Sequence, residues 1–270
     1  MEVSHSGPAI RWAAWIGKVR TSPRFWGLAA LTGAAITLAG APVRGAEHSL
    51  HDFAQPALKD VTARIRILSH NDSELEKVGK GYVDIYKMSD QQLWAKEPGR
   101  TRVQGRKGLL TLRYVTNGTR KLTEVTTLHL HKIQDIATQP TQGYHISELG
   151  VITPDWLDTI RWQYIRDEVK DGKNLEEFDY WYKGDKEPAL RNTIWVDPAT
   201  KTVVEHIMHH HAKKKAGFKK RIVYSLPKQF NGVWMPTHLS LYSPENKLAG
   251  ELQYESIQVN TSLADSLFKF

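Results

Sequence analysis

The residues whose types and spacing best suit chemistry lie in one basic strand: Glu205, His206, His209, His210 and His211. Side chains at i and i+2 of a strand share a face, so His209 and His211 point with Glu205, and His206 with His210. Two imidazoles and a carboxylate on one face are an adequate donor set for a divalent metal ion. His129 and His131, also two apart, could supply a second ligand cluster only if their strand meets this one. The run continues into Lys213-Lys214-Lys215, and with Lys219, Lys220 and Arg221 it makes one hairpin tip strongly positive. A solvated basic strand end is the simpler reading, so no metal is expected at Glu205, His209 and His211. The tip is either a turn that discourages edge pairing or a contact for anionic head groups or an acidic partner.

Catalytic spacing is missing elsewhere. The chain holds no G-x-S-x-G, no phosphate loop, no H-E-x-x-H and no dinucleotide fingerprint. The carboxylate pairs Asp167-Glu168 and Glu176-Glu177 sit in charged contexts. No enzymatic activity and no cofactor are expected. With no cysteine at all, a disulfide framework, a cysteine-ligated zinc, a cysteine nucleophile and an acylated N-terminal cysteine are excluded.

Aromatic side chains remain. Trp94, Tyr180, Trp181, Tyr182, Trp195, Trp234 and Tyr242 fall in strand-like segments. Each taken alone reads as core, but as a set they could also line a pocket.

These residues need a sheet to position them. A short helix is expected from Asp52, with Asp52 as N-cap and Pro56 near its first turn. Alternation then predicts a strand from Val61 through Leu68. Further strands are expected over Gly81–Met88, Gln91–Lys96, Arg100–Gln104, Leu109–Val115 and Thr123–Lys132. Asn117-Gly118 is the strongest hairpin signal among them. A long loop follows from Asp135 to Glu148, the segment expected to be most mobile. From Pro154-Asp155 a helix is predicted through about Val169, with Trp156, Leu157, Ile160, Tyr164 and Ile165 within half its circumference and Trp162 outside that arc. This helix is the expected lid, presenting Trp156, Trp162 and Tyr164 to a ligand and to the sheet. After Gly172, strands are predicted over Phe178–Tyr182, Arg191–Val196, Thr202–His211, Lys219–Leu226, Trp234–Ser243 and Ala249–Val259, joined by hairpin-length turns. About eleven strands with one or two helices, no internal repeat and no linker read as one curved antiparallel sheet of mainly β (α+β) class.

The N-terminus differs in kind. Arg11, Lys18, Arg20 and Arg24 precede a nearly uncharged run from Phe25 to Ala41, the pattern of a cleaved export signal over residues 1–46 with a mature start close to Glu47. A retained N-terminal anchor is the alternative. Of the formal charge of +8, the leader supplies five basic residues against one acidic, leaving 32 against 28 in the domain 47–270. That surplus is too small to imply nucleic acid.

The C-terminal third has a specific order: Trp195-Val196-Asp197-Pro198 entering a hairpin, a long basic strand pair, Gly232-Val233-Trp234-Met235-Pro236 restarting a strand, then Gln253 to Asn260 and Ser266-Leu267-Phe268. With the lysine/proline/glycine turn before Arg100-Thr101-Arg102-Val103, this order resembles the bacterial outer-membrane lipoprotein-sorting superfamily, the LolA/LolB-like proteins. The match is clearest over Thr193–Phe270 and weaker over Val61–Arg120. The resemblance implies a half-open barrel made of one strongly curved antiparallel sheet, closed by one or two helices over an apolar cavity. It implies a monomeric periplasmic carrier for the acyl chains of a lipid or lipoprotein, with membrane-associated proteins delivering and accepting the cargo. Trp94, Trp156, Leu157, Ile160, Trp162, Tyr164, Trp181, Trp195 and Trp234 are then the expected cavity and lid residues. An envelope protein-interaction or stress-sensor module of the same fold, and a metal-binding protein using the histidine strand, are the other readings.

Overall fold

The computed structural model describes residues 48–185, 190–209 and 217–270. The expected export signal, His210, His211 and Lys213-Lys214-Lys215 lie outside the described residues.

A first meander comprises β1 (Asp60–His70), β2 (Ser89–Lys96), β3 (Arg100–Lys107), β4 (Leu110–Asn117), β5 (Arg120–Val125) and β6 (Leu130–Asp135). A second comprises β7 (Ile160–Lys170), β8 (Lys173–Tyr182), β9 (Asn192–Asp197), β10 (Thr202–His209), β11 (Phe218–Phe230), β12 (Val233–Tyr242) and β13 (Leu248–Val259). They fuse where β1 pairs antiparallel with β13, giving one 13-stranded sheet in the order β6-β5-β4-β3-β2-β1-β13-β12-β11-β10-β9-β8-β7. The sheet stays open, with β6 and β7 as its edges.

Turn chemistry sets the register. Asn231 and Gly232 both take positive φ, 48° and 84°, which joins β11 to β12 in a two-residue turn with Phe230 opposite Val233. The hairpin expected at Asn117-Gly118 forms between β4 and β5 with its turn one residue on: Asn117 pairs with Arg120, and Gly118, at φ 59°, and Thr119 make the two-residue turn. The strand expected over Thr123–Lys132 is two strands, because a 3₁₀ turn at Thr126–Leu128 ends with His129 in the left-handed region.

Two predicted elements are corrected. The helix expected from Pro154 to Val169 is one turn long, α3 (Pro154–Leu157), N-capped by Thr153, whose hydroxyl accepts from the Trp156 amide. Residues 160–170 are strand β7: Ile160, Trp162 and Tyr164 alternate with Arg161 and Gln163 and pair with β8 through Asp171-Gly172. The strand expected over Gly81–Met88 is helical. Asn71 caps α1 (Asp72–Val78) by accepting from the Glu74 amide, and α2 (Lys80–Tyr86) follows at once. Tyr82, Ile85 and Tyr86 sit at helical i, i+3, i+4 spacing on one face of α2. The short helix expected from Asp52 is a 3₁₀ turn at Leu50–Phe53 capped by Ser49, ending before Pro56.

One face of the sheet carries the main core. Val61, Ala63 and Ile65 of β1 meet Ile222, Leu239, Leu241, Leu252 and Tyr254, with α1, α2 and the 140–157 segment packed over them. Burying each such aliphatic contributes about 1.5–3 kcal/mol. On the other face, Phe268 of the C-terminal 3₁₀ turn seals a smaller cluster with Val115 and Leu122. Among the described residues no helix is long and apolar enough to cross a membrane.

Candidate functional site: the cavity beneath the second helix

Where α2 lies across the sheet it leaves a cavity of about 40 Å³. Its walls come from Tyr82, Ile85 and Tyr86 of α2, Ile65 of β1, and Ile222, Leu239 and Leu252 across the sheet, with Tyr144 and Glu148 from the loop after β6. That loop, expected to be long and irregular, carries two one-turn 3₁₀ helices, Pro140–Gln142 and Ile146–Leu149, the second of which brings Glu148 inward.

The cavity is apolar except at one end. There Lys220 of β11, with only 5% of its side chain exposed, places Nζ 3.1 Å from both Glu148 carboxylate oxygens and 2.7 Å from the Tyr82 hydroxyl. Burial alone would push the ammonium toward neutrality, but the Glu148 carboxylate and the Tyr82 hydroxyl outweigh it, and the Lys220 pKa is raised. Glu148 responds in the opposite sense: burial favours its neutral form, and Lys220 and His206 reverse that, so its pKa is lowered. The Tyr86 hydroxyl is buried without a hydrogen-bond partner among the described residues. An orphaned buried donor of this kind costs about 1–3 kcal/mol.

Nearby, His206 of β10 is buried with Nε2 3.1 Å from the Tyr180 hydroxyl and 3.0 Å from Asn192 Oδ1. Burial lowers its pKa to about 4, so it is a neutral core histidine. Gly250 of β13 explains how closely α2 can approach: a Cβ there would lie 2.4 Å from the Tyr86 ring. Only glycine lets that ring lie against the strand.

The nine residues expected at the site are dispersed, and none forms a wall of this cavity. Trp156 packs edge-on against Tyr180, with Nε1 3.4 Å from the Tyr182 hydroxyl, and Leu157 and Ile160 are buried beside it in the core. Trp156 also lines a separate pocket of about 220 Å³ with Pro98, His145 and Asp155. Trp162 and Tyr164 belong to β7, both edge-on to Phe178, and the cavity described above is covered by α2 instead. Trp94 packs on the small cluster around Phe268, under the Arg102 guanidinium at 5.0 Å. Trp195 donates from Nε1 to Glu168 at 2.7 Å and lies beneath the Lys170 ammonium. Trp181 is half-buried opposite Arg161 in the β7–β8 register, and the Trp234 amide donates to Gln55 Oε1. The signal that could have found this wall was the spacing of Tyr82, Ile85 and Tyr86 after Gly79.

Of the histidine strand, the described Glu205 and His209 have partners in the sheet. Glu205 is clasped by Lys170 and by Arg221 at 3.3 Å. His209 has Nε2 2.8 Å from Thr193 Oγ1 and Nδ1 3.3 Å from the Arg191 guanidinium. Glu205 also lines a groove of about 380 Å³ with Lys173, Asp197, Arg221 and Tyr242. Lys173 stands 3.5 Å from Asp197, so the groove's charges are compensated internally.

An open 13-stranded antiparallel sheet with two short helices and a loop laid over its core face is a distinctive arrangement. It superimposes on a domain from Vibrio parahaemolyticus titled for outer membrane lipoprotein sorting, with a TM-score of 0.56, 10% identity, and 82% of this chain and 93% of that one covered. The fold is LolA-like. A LolA superfamily protein from Nitrosomonas europaea matches at TM-score 0.50 and 12% identity over 81% of this chain and 93% of its own. A DUF1329 family protein from Desulfovibrio piger matches at 0.51 and 12% identity, covering 82% and 92% respectively. No family model and no curated protein matches the sequence. The LolA-like sheet has thus kept its architecture while its side chains diverged, which transfers the fold and leaves function to the site.

Proposed function

We propose that this protein is an extracytoplasmic carrier that binds the acyl portion of a lipid or lipoprotein on the core face of its sheet and catalyses no reaction. The observation that carries this reading is the α2 cavity, an apolar pocket roofed by a short helix rather than by the sheet itself. At about 40 Å³ it holds little more than a water molecule, whereas ligand pockets run to roughly 300–1,000 Å³. On this reading the described conformation is the closed form of the carrier. Uptake displaces α1 and α2, and burial of the chain at about 25 cal/mol per Å² offsets the lost lid contacts. The Tyr86 hydroxyl and the Lys220–Glu148 pair favour an amphiphile with an acceptor group beside its apolar chain. Delivery and acceptance by membrane-associated proteins, and a periplasmic location, belong to the same reading.

Titration with a fluorescent fatty-acid analogue tests it. Wild-type protein binds saturably, and Ile222→Trp, which fills the cavity, weakens binding more than tenfold while near-ultraviolet circular dichroism stays native-like. Equal affinity in a folded Ile222→Trp protein would remove the cavity from the account.

A further inference from the structure

The β7–β8 hairpin holds an uncompensated charge pair. Asp167 and Glu176 stand directly opposite one another in the register, where like charges repel. Neighbouring carboxylates on this part of the sheet each have a cation. Arg166 lies 2.8 Å from Glu177 and 3.3 Å from Glu168, Arg191 is 3.4 Å from Asp179, and Lys170 and Arg221 clasp Glu205. Among the described residues, Asp167 and Glu176 have neither lysine nor arginine within ion-pair distance. What approaches them is an imidazole: His48 Nδ1 is 3.1 Å from Glu176 Oε2 and 3.9 Å from Asp167 Oδ1. The His48 ring is held in place by stacking on Tyr164, 4.2 Å between centroids and 12° between planes.

We infer that His48, Asp167 and Glu176 form a binding site for a divalent transition-metal ion of zinc type. One nitrogen and two carboxylate oxygens are an accepted ligand set for such an ion, and all three donor atoms lie within 4.8 Å of one another. Bonds of about 2.0–2.1 Å in tetrahedral geometry put ligand atoms about 3.3 Å apart, a spacing bracketed by the 3.1 and 3.9 Å found here. Asp167 is 65% exposed, so its side chain, hydrogen-bonded by Tyr164, can turn to close the remaining gap and water reaches the fourth position. The ion neutralises the facing carboxylates, and Tyr164 supplies the orientation that a supporting residue gives a ligating histidine. It also ties the segment ahead of β1 to the β7 edge, acting as a structural clasp outside the α2 cavity.

The test is zinc titration of the untagged protein by calorimetry, with chelator competition, on wild type, His48→Ala, Glu176→Gln and a His209→Ala/His210→Ala/His211→Ala control. The expected result is one zinc per chain, affinity reduced at least tenfold by either His48→Ala or Glu176→Gln, and no change in the triple control. A zinc-dependent rise in Tm should disappear with His48→Ala, whose surface position leaves folding intact by circular dichroism. No saturable binding, an affinity within twofold of wild type in His48→Ala, or a loss in the triple control would each overturn the assignment.

Discussion

Replacing Lys220 by methionine removes the buried ammonium and nothing else of comparable size. In the native protein that ammonium holds both Glu148 oxygens at 3.1 Å and the Tyr82 hydroxyl at 2.7 Å. Its loss strands a largely buried carboxylate, and breaking such a pair costs about 3–5 kcal/mol. For a domain of this size each kcal/mol moves Tm by about 2–4 °C, so Lys220→Met should lower Tm by roughly 6–20 °C. Urea unfolding at pH 7 should show a lower midpoint with an unchanged slope, marking lost stability rather than a different denatured state. The double variant Lys220→Met/Glu148→Leu removes both charges, and because apolar replacement of a buried pair is often neutral or stabilising, it should recover most of the loss. A single variant costing under about 1 kcal/mol, or a double variant no better than the single, would refute the claim that this pair is desolvated and mutually dependent.

Other perturbations read neighbouring parts of the site. Burial lowers the pKa of His206 from 6.5 to about 4, so the unfolded chain takes up that proton first. Stability from this residue is constant above about pH 6.5 and falls by up to about 3 kcal/mol as the pH drops toward 4; His206→Gln should flatten this slope in urea midpoints measured across that range, and an unchanged slope would contradict it. Gly250→Ala drives a methyl into the Tyr86 ring, so it should cost about 1–3 kcal/mol and raise acyl-probe affinity several-fold by loosening α2; tighter closure would show the lid is misassigned. Trp156→Ala should cost about 3–5 kcal/mol, because that ring is core against Tyr180, yet leave probe affinity of the folded protein within twofold.

The sheet was readable because hairpin turns and period-two alternation are local signals. Asn117-Gly118 and Asn231-Gly232 marked their hairpins, and the order of elements after Thr193 pointed to the architecture that the structure has. Residues 160–170 misled because Trp156, Leu157, Ile160 and Tyr164 fit a helical arc as well as Ile160, Trp162 and Tyr164 fit a strand. Asp171-Gly172 was the deciding signal, since φ of 50° and 75° makes a hairpin turn, whereas a helix end needs only one such residue. The helices α1 and α2 were missed for the converse reason. Residues 81–88 carry β-branched and aromatic side chains, but α1 is fixed by its Asn71 cap and α2 by packing of Tyr82 and Tyr86, a tertiary contact that no local propensity encodes. The nine expected cavity and lid residues do not line the α2 cavity: five of them, Trp156, Leu157, Ile160, Trp162 and Tyr164, came from the segment read as one long helix, and four, Trp94, Trp181, Trp195 and Trp234, from strands. The pairing of Lys220 with Glu148 spans 72 residues and is set only when β11 and the 146–149 turn meet.

The most direct test of the carrier reading is native mass spectrometry of the untagged protein recovered from a bacterial periplasm without detergent, followed by solvent extraction. The account predicts a fraction of molecules carrying an extractable lipid or acylated peptide, and conversion of the remainder to a bound form on adding a fatty-acid analogue. An apo mass alone that also ignores the added analogue would contradict it.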